Sequence, residues 1–153
     1  HVVAIDLSPT LVELAVRRVA QHLETFDNGG HIDFRSGDML DAGLGHFDHV
    51  VAMDSLIHYE AHDVVRALEA WAPRVSRSML ITFAPRTPAL AAMHAVGRFF
   101  PRGDRAPSIE PVAETALKRG LLAAPGLQAF LDARTERVAS GFYTSQALEI
   151  ARS

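Results

Sequence analysis

Short apolar runs alternate with longer amphipathic stretches over the first half of the chain. The apolar runs cover residues 2–5, 50–53 and 79–83, and each is followed closely by a polar residue or a proline. Runs of this length are typical of strands that are buried on both faces of a sheet. Ile32 and Phe34 alternate with polar residues, which predicts one further short strand.

Two amphipathic stretches between these runs predict helices. Ser8 and Pro9 suit the N-cap and first position of a helix, and the apolar spacing of three or four then continues to the Asn28-Gly29-Gly30 stop. In the second stretch, Pro73 disturbs the last turn. Its apolar stripe consists of Val64, Leu68, Trp71 and Val75. Strands and helices that alternate in this order predict an α/β fold with a doubly wound, mostly parallel sheet.

The second half of the chain has a different pattern. Residues 109–122 predict another helix, although Pro111 lies near its start. Residues 135–139 and 142–150 predict two strands that are joined at Ser140-Gly141. Because this connection is short, we expect the two strands to be antiparallel neighbours.

The composition is that of an ordinary globular domain. Of the 153 residues, 48% are hydrophobic and 22% are charged, which suits a single domain. The net charge of -3 gives no support for nucleic-acid binding, which usually requires a basic face. The chain contains no cysteine, which excludes disulfides and thiolate metal sites. No apolar run reaches the ~20 residues that are needed to span a bilayer.

Two further observations concern metal binding and the start of the sequence. His58 and His62 have the spacing of a ligand pair on a helix, but no third ligand is evident, so no metal site is predicted.

His1 directly precedes a core-like apolar run. We therefore expect at least one strand–helix unit upstream of the first residue.

Acidic residues end two of the predicted strands. Asp6 follows the first strand and Asp38 follows the second, so we expect both residues at the same edge of the parallel sheet. In a dinucleotide-type α/β fold, an acidic residue at such a strand end accepts hydrogen bonds from ribose hydroxyls, and Asp38 suits an adenine amino group. The alternative is that Asp6 merely ends a strand and that Asp38 is a turn residue.

The stretch 47–60 leads from an apolar strand into polar side chains. Asp54, Ser55, His58 and Tyr59 lie just beyond the strand's carboxyl end, where open α/β sheets bind their ligands. The alternative is a helix start in which Asp54 or Ser55 is the cap and His58 is exposed.

An aromatic pair adjoins basic residues later in the chain. Phe99 and Phe100 precede Arg102 and Arg105, and an aromatic face with nearby guanidinium groups suits a flat, anionic ligand. The alternative is a hydrophobic helix end that leads into a solvated loop.

Several of these motifs resemble those of a known family. Val3-Ala4-Ile5-Asp6-Leu7-Ser8-Pro9 resembles the second strand of class I S-adenosylmethionine-dependent methyltransferases. Asp54-Ser55-Leu56-Ile57-His58-Tyr59 resembles, more specifically, the motif of magnesium-protoporphyrin IX O-methyltransferases. Segments 81–85, 97–102 and 139–145 support this second resemblance, which covers essentially the whole chain.

The resemblance implies a Rossmann-like sheet of seven strands, here N-terminally incomplete, with the antiparallel pair at its C-terminal end. It implies one partial methyltransferase domain over residues 1–153, with a lid over the substrate site at 86–107, in which a helix at 89–105 would lie near the porphyrin. The small residues at 89–96 themselves predict a helix there. The implied reaction is methylation of a propionate carboxylate of Mg-protoporphyrin IX by S-adenosylmethionine, a step of chlorophyll or bacteriochlorophyll synthesis. The family's glycine-rich loop has no counterpart in these residues.

Site residues follow from the same resemblance. Asp6 would hold the ribose, Asp38 would border the adenine, and the implied cofactor contacts as a set are Asp6, Leu7, Ser8, Asp38, Met39, Met53 and Asp54. His58 and Tyr59 would be catalytic. The implied substrate contacts are Phe99, Phe100, Arg102 and Arg105. A propionate has a pKa of ~4.3 and is ionised at pH 7. We therefore expect His58 to orient the carboxylate, or to contact the central Mg²⁺, rather than to act as a base.

The resemblance also implies a setting for the enzyme. Mg-protoporphyrin IX is the expected partner molecule, magnesium chelatase is a candidate protein partner, and the location is cytoplasmic, with peripheral contact to a photosynthetic membrane left open. Two alternatives remain at this point. One is a class I methyltransferase for another small molecule, and the other is a truncated module that binds a porphyrin or a partner without transferring methyl groups.

Overall fold

The computed structural model describes residues 1–23, 30–86, 109–130, 132–140 and 143–153. The chain divides into two compact units, residues 1–45 and residues 46–153. Within the described ranges, none of the helices is both long enough and apolar enough to cross a membrane.

The first unit is a parallel strand pair with one helix. Strand β1 (Val2–Asp6) is followed by helix α1 (Pro9–Leu23) and strand β2 (Ile32–Ser36), and Asp6 lies opposite Ser36 in the parallel ladder. Helix α1 begins as predicted, because Pro9 is its first residue and the Ser8 hydroxyl accepts a hydrogen bond from the Leu11 N–H at 3.4 Å. The predicted helix stop at 28–30 falls mostly outside the described residues.

The second unit contains a four-stranded mixed sheet. Its elements are β3 (Phe47–Ala52), α2 (Ala61–Trp71), β4 (Val75–Phe83), α3 (Glu114–Ala123), β5 (Asp132–Ser140) and β6 (Tyr143–Ala151). The strand order is β3-β4-β6-β5. Strands β3 and β4 are parallel, whereas β6 is antiparallel to both β4 and β5. The predicted antiparallel C-terminal pair is confirmed, with Ser140 opposite Tyr143 at the turn.

The core of the second unit lies between this sheet and its two helices. Fully buried side chains come from both, and they include Leu68, Met79, Ile81, Phe83, Leu117, Leu148 and Ile150. Helix α3 packs closely on α2, since a Cβ atom at Gly120 would lie 2.9 Å from Val65 Cγ2. A glycine inside a helix is unfavourable, so its presence here follows from the close approach of the two helices.

The predicted burial of β3 on both faces is wrong. Ala52 is 6% exposed, but Val51 is 60% exposed and Met53, just after the strand, is 67% exposed. Among the described residues, β3 pairs with a neighbour on one side, namely β4. An apolar run alone does not reveal whether a second layer of structure covers each face. Val2 in β1 is likewise 55% exposed.

Two predicted helix boundaries are also wrong, in both cases near a proline. Val75 begins β4 instead of ending a helix, because a 3-10 turn at Ala72–Arg74 that contains Pro73 separates α2 from the strand. Residues 109–113 are not helical, and α3 begins only at Glu114. The Val112 N–H donates to Ala84 O at 2.8 Å, so this segment pairs with the end of β4.

Candidate functional site

The first unit brings Asp6 and Asp38 to the same edge of its strand pair, as predicted. The backbone links the two strand ends directly, because the Gly37 N–H donates to Asp6 O at 3.0 Å. Both acidic side chains are exposed. Asp6 Oδ1 accepts from the Ser8 N–H at 2.7 Å, and Asp38 Oδ1 accepts from the Leu40 N–H at 2.8 Å. Each carboxylate therefore stabilises its own turn through Oδ1 while it faces solvent.

Apolar side chains accompany these carboxylates. Leu7, directly after Asp6, is 77% exposed, and Met39, directly after Asp38, is half-buried. Exposed apolar surface next to a carboxylate suits a ligand that combines hydroxyl groups with a flat ring. Asp6, Leu7, Ser8, Asp38 and Met39 thus lie at or just beyond the carboxyl ends of the two paired strands.

In the second unit, residues 53–60 form a polar loop between β3 and α2. Leu56 is 0% exposed and anchors this loop in the core. Two backbone hydrogen bonds stabilise the loop. The Tyr59 N–H donates to Leu56 O at 3.1 Å within the loop, and the Glu110 N–H donates to Ile57 O at 2.8 Å from outside it. The loop is therefore fixed at its centre and tied to the segment that precedes α3.

The side chains predicted to carry chemistry project from this anchored loop. Asp54 and His58 are exposed, and Tyr59 is half-buried. The exposure of His58 also agrees with the alternative prediction, in which this stretch is the start of a helix. The capping part of that alternative is wrong, because the N-cap of α2 is Glu60, and neither Asp54 nor Ser55 caps the helix. The Ser55 hydroxyl donates to Met53 O at 3.2 Å instead.

Asp54 has an unusual backbone conformation. Its φ is +54°, in the left-handed region, and it is the one non-glycine residue with positive φ among the described residues. The Asp54 N–H donates to Thr82 Oγ1 at 2.7 Å, and this hydroxyl donates in turn to Asp54 Oδ1 at 3.1 Å. Strained conformations of this kind persist where the surroundings hold them, and they are common at functional sites.

Sequence reasoning missed Thr82 as a site residue. It lies inside the apolar run 79–83, and its side chain is 9% exposed. The available signal was a hydroxyl-bearing residue in a run that is otherwise apolar, because a buried hydroxyl requires a hydrogen-bond partner.

A polar network fastens the start of α3 to the C-terminal strands. Glu114 accepts hydrogen bonds from Lys118 at 2.7 Å, from Gln146 at 2.6 Å and from Thr135 at 3.1 Å. Gln146 in turn accepts from Arg137 at 2.9 Å. These donors, with Lys118 first and Gln146 second, lower the pKa of Glu114 from 4.5 to about 2. Gln146 lies opposite Phe83, so the network is adjacent to the carboxyl end of β4.

A cavity of about 460 Å³ lies at the other end of the same strands. It opens beside the first residues of β3 and β4, and its lining includes Phe47, Val75, Arg74 and Arg152. The guanidinium of Arg152 donates to Ala72 O and Val75 O and lies 4.8 Å from the Phe130 ring centre. These contacts hold the wall of the cavity together, away from the polar loop.

Some predicted features lie outside the described residues. These are Phe99, Phe100, Arg102 and Arg105, together with the helix at 89–96 and the lid at 86–107 apart from Arg86. Among the residues that are described, no group of three or more His, Asp or Glu side chains could hold a metal ion.

Comparison with known proteins gives consistent matches. A family model described as magnesium-protoporphyrin IX methyltransferase C-terminus matches residues 52–152, and one described as methyltransferase domain matches residues 1–78. The magnesium-protoporphyrin O-methyltransferase of Rhodobacter capsulatus is 41% identical over 148 residues, and the enzyme of that name from Synechocystis is 28% identical over 148 residues. Each alignment covers 97% of this chain and 61% of the relative, so the chain spans about three fifths of the length of these curated relatives.

A solved structure is also similar. The crystal structure of magnesium protoporphyrin IX methyltransferase from Synechocystis PCC 6803 with bound SAH has a TM-score of 0.75 and 26% identity to this chain. The match covers 99% of this chain and 64% of that one. The chain therefore has the class I methyltransferase fold that was predicted for it, incomplete relative to this longer protein.

Proposed function

Because the chain belongs to the magnesium-protoporphyrin IX methyltransferase family, we propose that it transfers a methyl group from S-adenosylmethionine to a propionate carboxylate of Mg-protoporphyrin IX. The observation that carries the proposal is the family match over residues 52–152, which includes the whole polar loop after Ala52. The product is the monomethyl ester, formed in chlorophyll or bacteriochlorophyll synthesis.

The first unit supports binding of S-adenosylmethionine. Asp6 and Asp38 present carboxylates at one edge of the strand pair, and we assign Asp6 to the ribose hydroxyls and Asp38 to the adenine. Leu7 is exposed beside Asp6 and Met39 follows Asp38, so apolar surface is available for the flat base. Ser8 holds the turn through its N–H bond to Asp6. Met53 and Asp54 are the cofactor contacts that we assign to the second unit.

The proposed chemistry requires positioning more than proton transfer. S-adenosylmethionine supplies an electrophilic methyl group, and its transfer forms a C–O bond as the C–S bond breaks. The attacking propionate has a pKa of ~4.3 and is already ionised at pH 7, so His58 is not needed as a base. We propose that His58 orients the carboxylate by a hydrogen bond, with Tyr59 beside it, because an in-line displacement depends on alignment. Axial contact of His58 with the Mg²⁺ is the competing role.

His58→Ala tests the first role by kinetics. We expect kcat to fall about tenfold to a hundredfold with KM for the porphyrin changed less than about twofold, because an interaction is lost mainly in the transition state. His62→Ala is the matched control, since His62 is an exposed histidine that lies close to the surface carboxylates of Glu60 and Asp63. Wild-type kinetics for His58→Ala would remove His58 from the mechanism. A changed visible spectrum of the bound porphyrin would favour axial contact.

Titration calorimetry with S-adenosylhomocysteine tests the function as a whole. We expect the 153-residue chain to bind it, and Asp6→Ala to weaken this binding. Cofactor binding without porphyrin binding or methylation would instead indicate a class I methyltransferase for another small molecule. Porphyrin binding without any cofactor binding would indicate a binding module and contradict the proposal.

The wider setting belongs to the same proposal. We propose that Phe99, Phe100, Arg102 and Arg105 contact the porphyrin within a lid at 86–107. We propose magnesium chelatase as the protein that supplies the metallated porphyrin, and a cytoplasmic reaction at the periphery of a photosynthetic membrane. Co-purification of the two proteins from a pigment-synthesising cell tests this partnership, and separate elution at physiological salt would contradict it.

A further inference from the structure

The second residue of the polar loop has a backbone conformation that most side chains avoid. Asp54 has φ of +54°. In residues other than glycine, the left-handed region crowds the Cβ atom against the backbone, and aspartate tolerates this region better than most residues do. The conformation redirects the chain two residues after β3 ends and four residues before His58. Whatever holds Asp54 in this state therefore also sets the direction of the loop.

Thr82 makes the contacts that hold it. Its hydroxyl accepts from the Asp54 N–H at 2.7 Å and donates to Asp54 Oδ1 at 3.1 Å, so one hydroxyl satisfies both the backbone and the side chain of Asp54. Thr82 is 9% exposed and lies in β4, whose ladder with β3 places Ile81 opposite Ala52. A β-branched side chain in a buried strand has little rotamer freedom, so its hydroxyl is a rigid reference point.

We propose that Thr82 is a positioning residue of the active site, which holds Asp54 in the left-handed conformation and thereby directs the polar loop toward cofactor and substrate. This inference rests on the proposed methyltransferase function for its kinetic consequence. The hydrogen-bond geometry is independent of that function. Thr82 does not touch the reacting atoms itself and acts through Asp54.

Two substitutions at position 82 separate the hydroxyl from the shape of the side chain. Thr82→Val keeps the shape and removes both hydrogen bonds, and Thr82→Ser keeps the hydroxyl. We expect Thr82→Val to lower kcat about tenfold, which corresponds to the loss of about 1.4 kcal/mol, while KM for the porphyrin changes less than about twofold. Thr82→Ser is expected to stay within about twofold of wild type. Equal activity of the valine and serine variants would overturn the proposal.

A double-mutant cycle with Asp54→Gly tests the conformational part. Glycine adopts positive φ without strain, so the loop no longer depends on Thr82 to hold this turn. We expect Thr82→Val to lower kcat about tenfold in the wild-type background but less than about threefold in the Asp54→Gly background. The same factor in both backgrounds would show that Thr82 acts in some other way and would overturn the proposal.

Amide hydrogen exchange provides a readout that needs no activity. In the 153-residue chain, Thr82→Val should speed exchange of the Asp54 N–H about tenfold, since this amide loses its acceptor, and Thr82→Ser should not. Unchanged protection in Thr82→Val would overturn the inference. If the wild-type protein neither binds S-adenosylhomocysteine nor transfers methyl groups, the proposed function fails while the exchange result still decides the role of Thr82. Should Thr82→Val fail to fold, Thr82→Ala replaces it in the same comparison with Thr82→Ser.

Discussion

Gly120 provides a test in which two physical effects have opposite signs. It lies within α3, where glycine is unfavourable, so Gly120→Ala should stabilise the helix by about 0.8–1.0 kcal/mol from intrinsic propensity. However, the new Cβ atom would lie 2.9 Å from Val65 Cγ2 on α2, whereas carbon atoms pack best at roughly 3.5–4.0 Å. The two atoms would have to separate by roughly 0.6–1.1 Å.

Because the contact between the new Cβ atom and Val65 cannot be relieved easily, we expect the steric clash to outweigh the gain in helix propensity. Val65 is 8% exposed, and valine in a helix is held in one preferred rotamer. Overpacking of this kind costs about 1–3 kcal/mol. Subtracting the propensity gain leaves a net destabilisation of about 0–2 kcal/mol, with about 1 kcal/mol as the central value.

Urea unfolding measured by tryptophan fluorescence reports this effect directly. Trp71, the single tryptophan of the chain, lies at the end of α2 and is 3% exposed. In a Val65→Ala background the clashing methyl groups are absent, so Gly120→Ala should there stabilise the protein by about 1 kcal/mol. We therefore expect the effect of Gly120→Ala on the free energy of unfolding to change sign between the two backgrounds. Gly126→Ala is the control, because the nearest atom to its new Cβ would be Glu69 Oε1 at 3.2 Å, a longer distance than the one at Gly120. If Gly120→Ala stabilises the otherwise wild-type protein by about 1 kcal/mol, the packing argument is wrong.

Two further predictions concern charge. The pKa of Glu114 is lowered from 4.5 to about 2, so its ionised form stabilises the fold above about pH 4.5, and this stabilisation is lost as the pH falls toward about 2. The difference between these pKa values sets an upper bound of about 3.4 kcal/mol. Because the side chain is 31% exposed, we expect Glu114→Gln to cost only about 1–2 kcal/mol at pH 7 and progressively less between pH 4.5 and 2, as measured by urea unfolding. An equal loss at every pH would contradict this reasoning. Combined Arg102→Gln and Arg105→Gln should weaken porphyrin binding more than S-adenosylmethionine binding in titrations, whereas equal losses would indicate unfolding of the surrounding segment.

Local sequence signals determined much of the fold. Ser8 and Pro9 mark the start of α1, because capping and the fixed φ of proline act within a few residues. The short connection after Ser140 predicts an antiparallel pair, since it is too short for a crossover. Asp6 and Asp38 were predicted to share one edge because parallel strands end on the same side of a sheet. Each of these predictions depends on neighbours in the chain, or on a general rule of sheet geometry.

Hydropathy patterns were less reliable where a proline or an uncovered face intervened. The apolar spacing at residues 109–122 continued through Pro111, and only the pairing of Val112 with Ala84 showed that the helix begins later. Val51 reads as a core residue in the sequence but is 60% exposed. An apolar side chain can be buried at little cost, but its exposure depends on which element of the fold packs against it.

Thus the sequence by itself determined the α/β class, the order of most elements and the family to which the chain belongs, through the polar residues that follow its apolar runs. Tertiary structure alone decided how those polar residues are held. The hydroxyl of Thr82 contacts Asp54 across 28 positions of sequence, because the parallel pairing of β3 with β4, in which Ala52 lies opposite Ile81, brings the residues after β3 beside the end of β4. The physical reason is that propensity and periodicity act over a few residues, whereas a strained turn needs a partner that the folded sheet supplies.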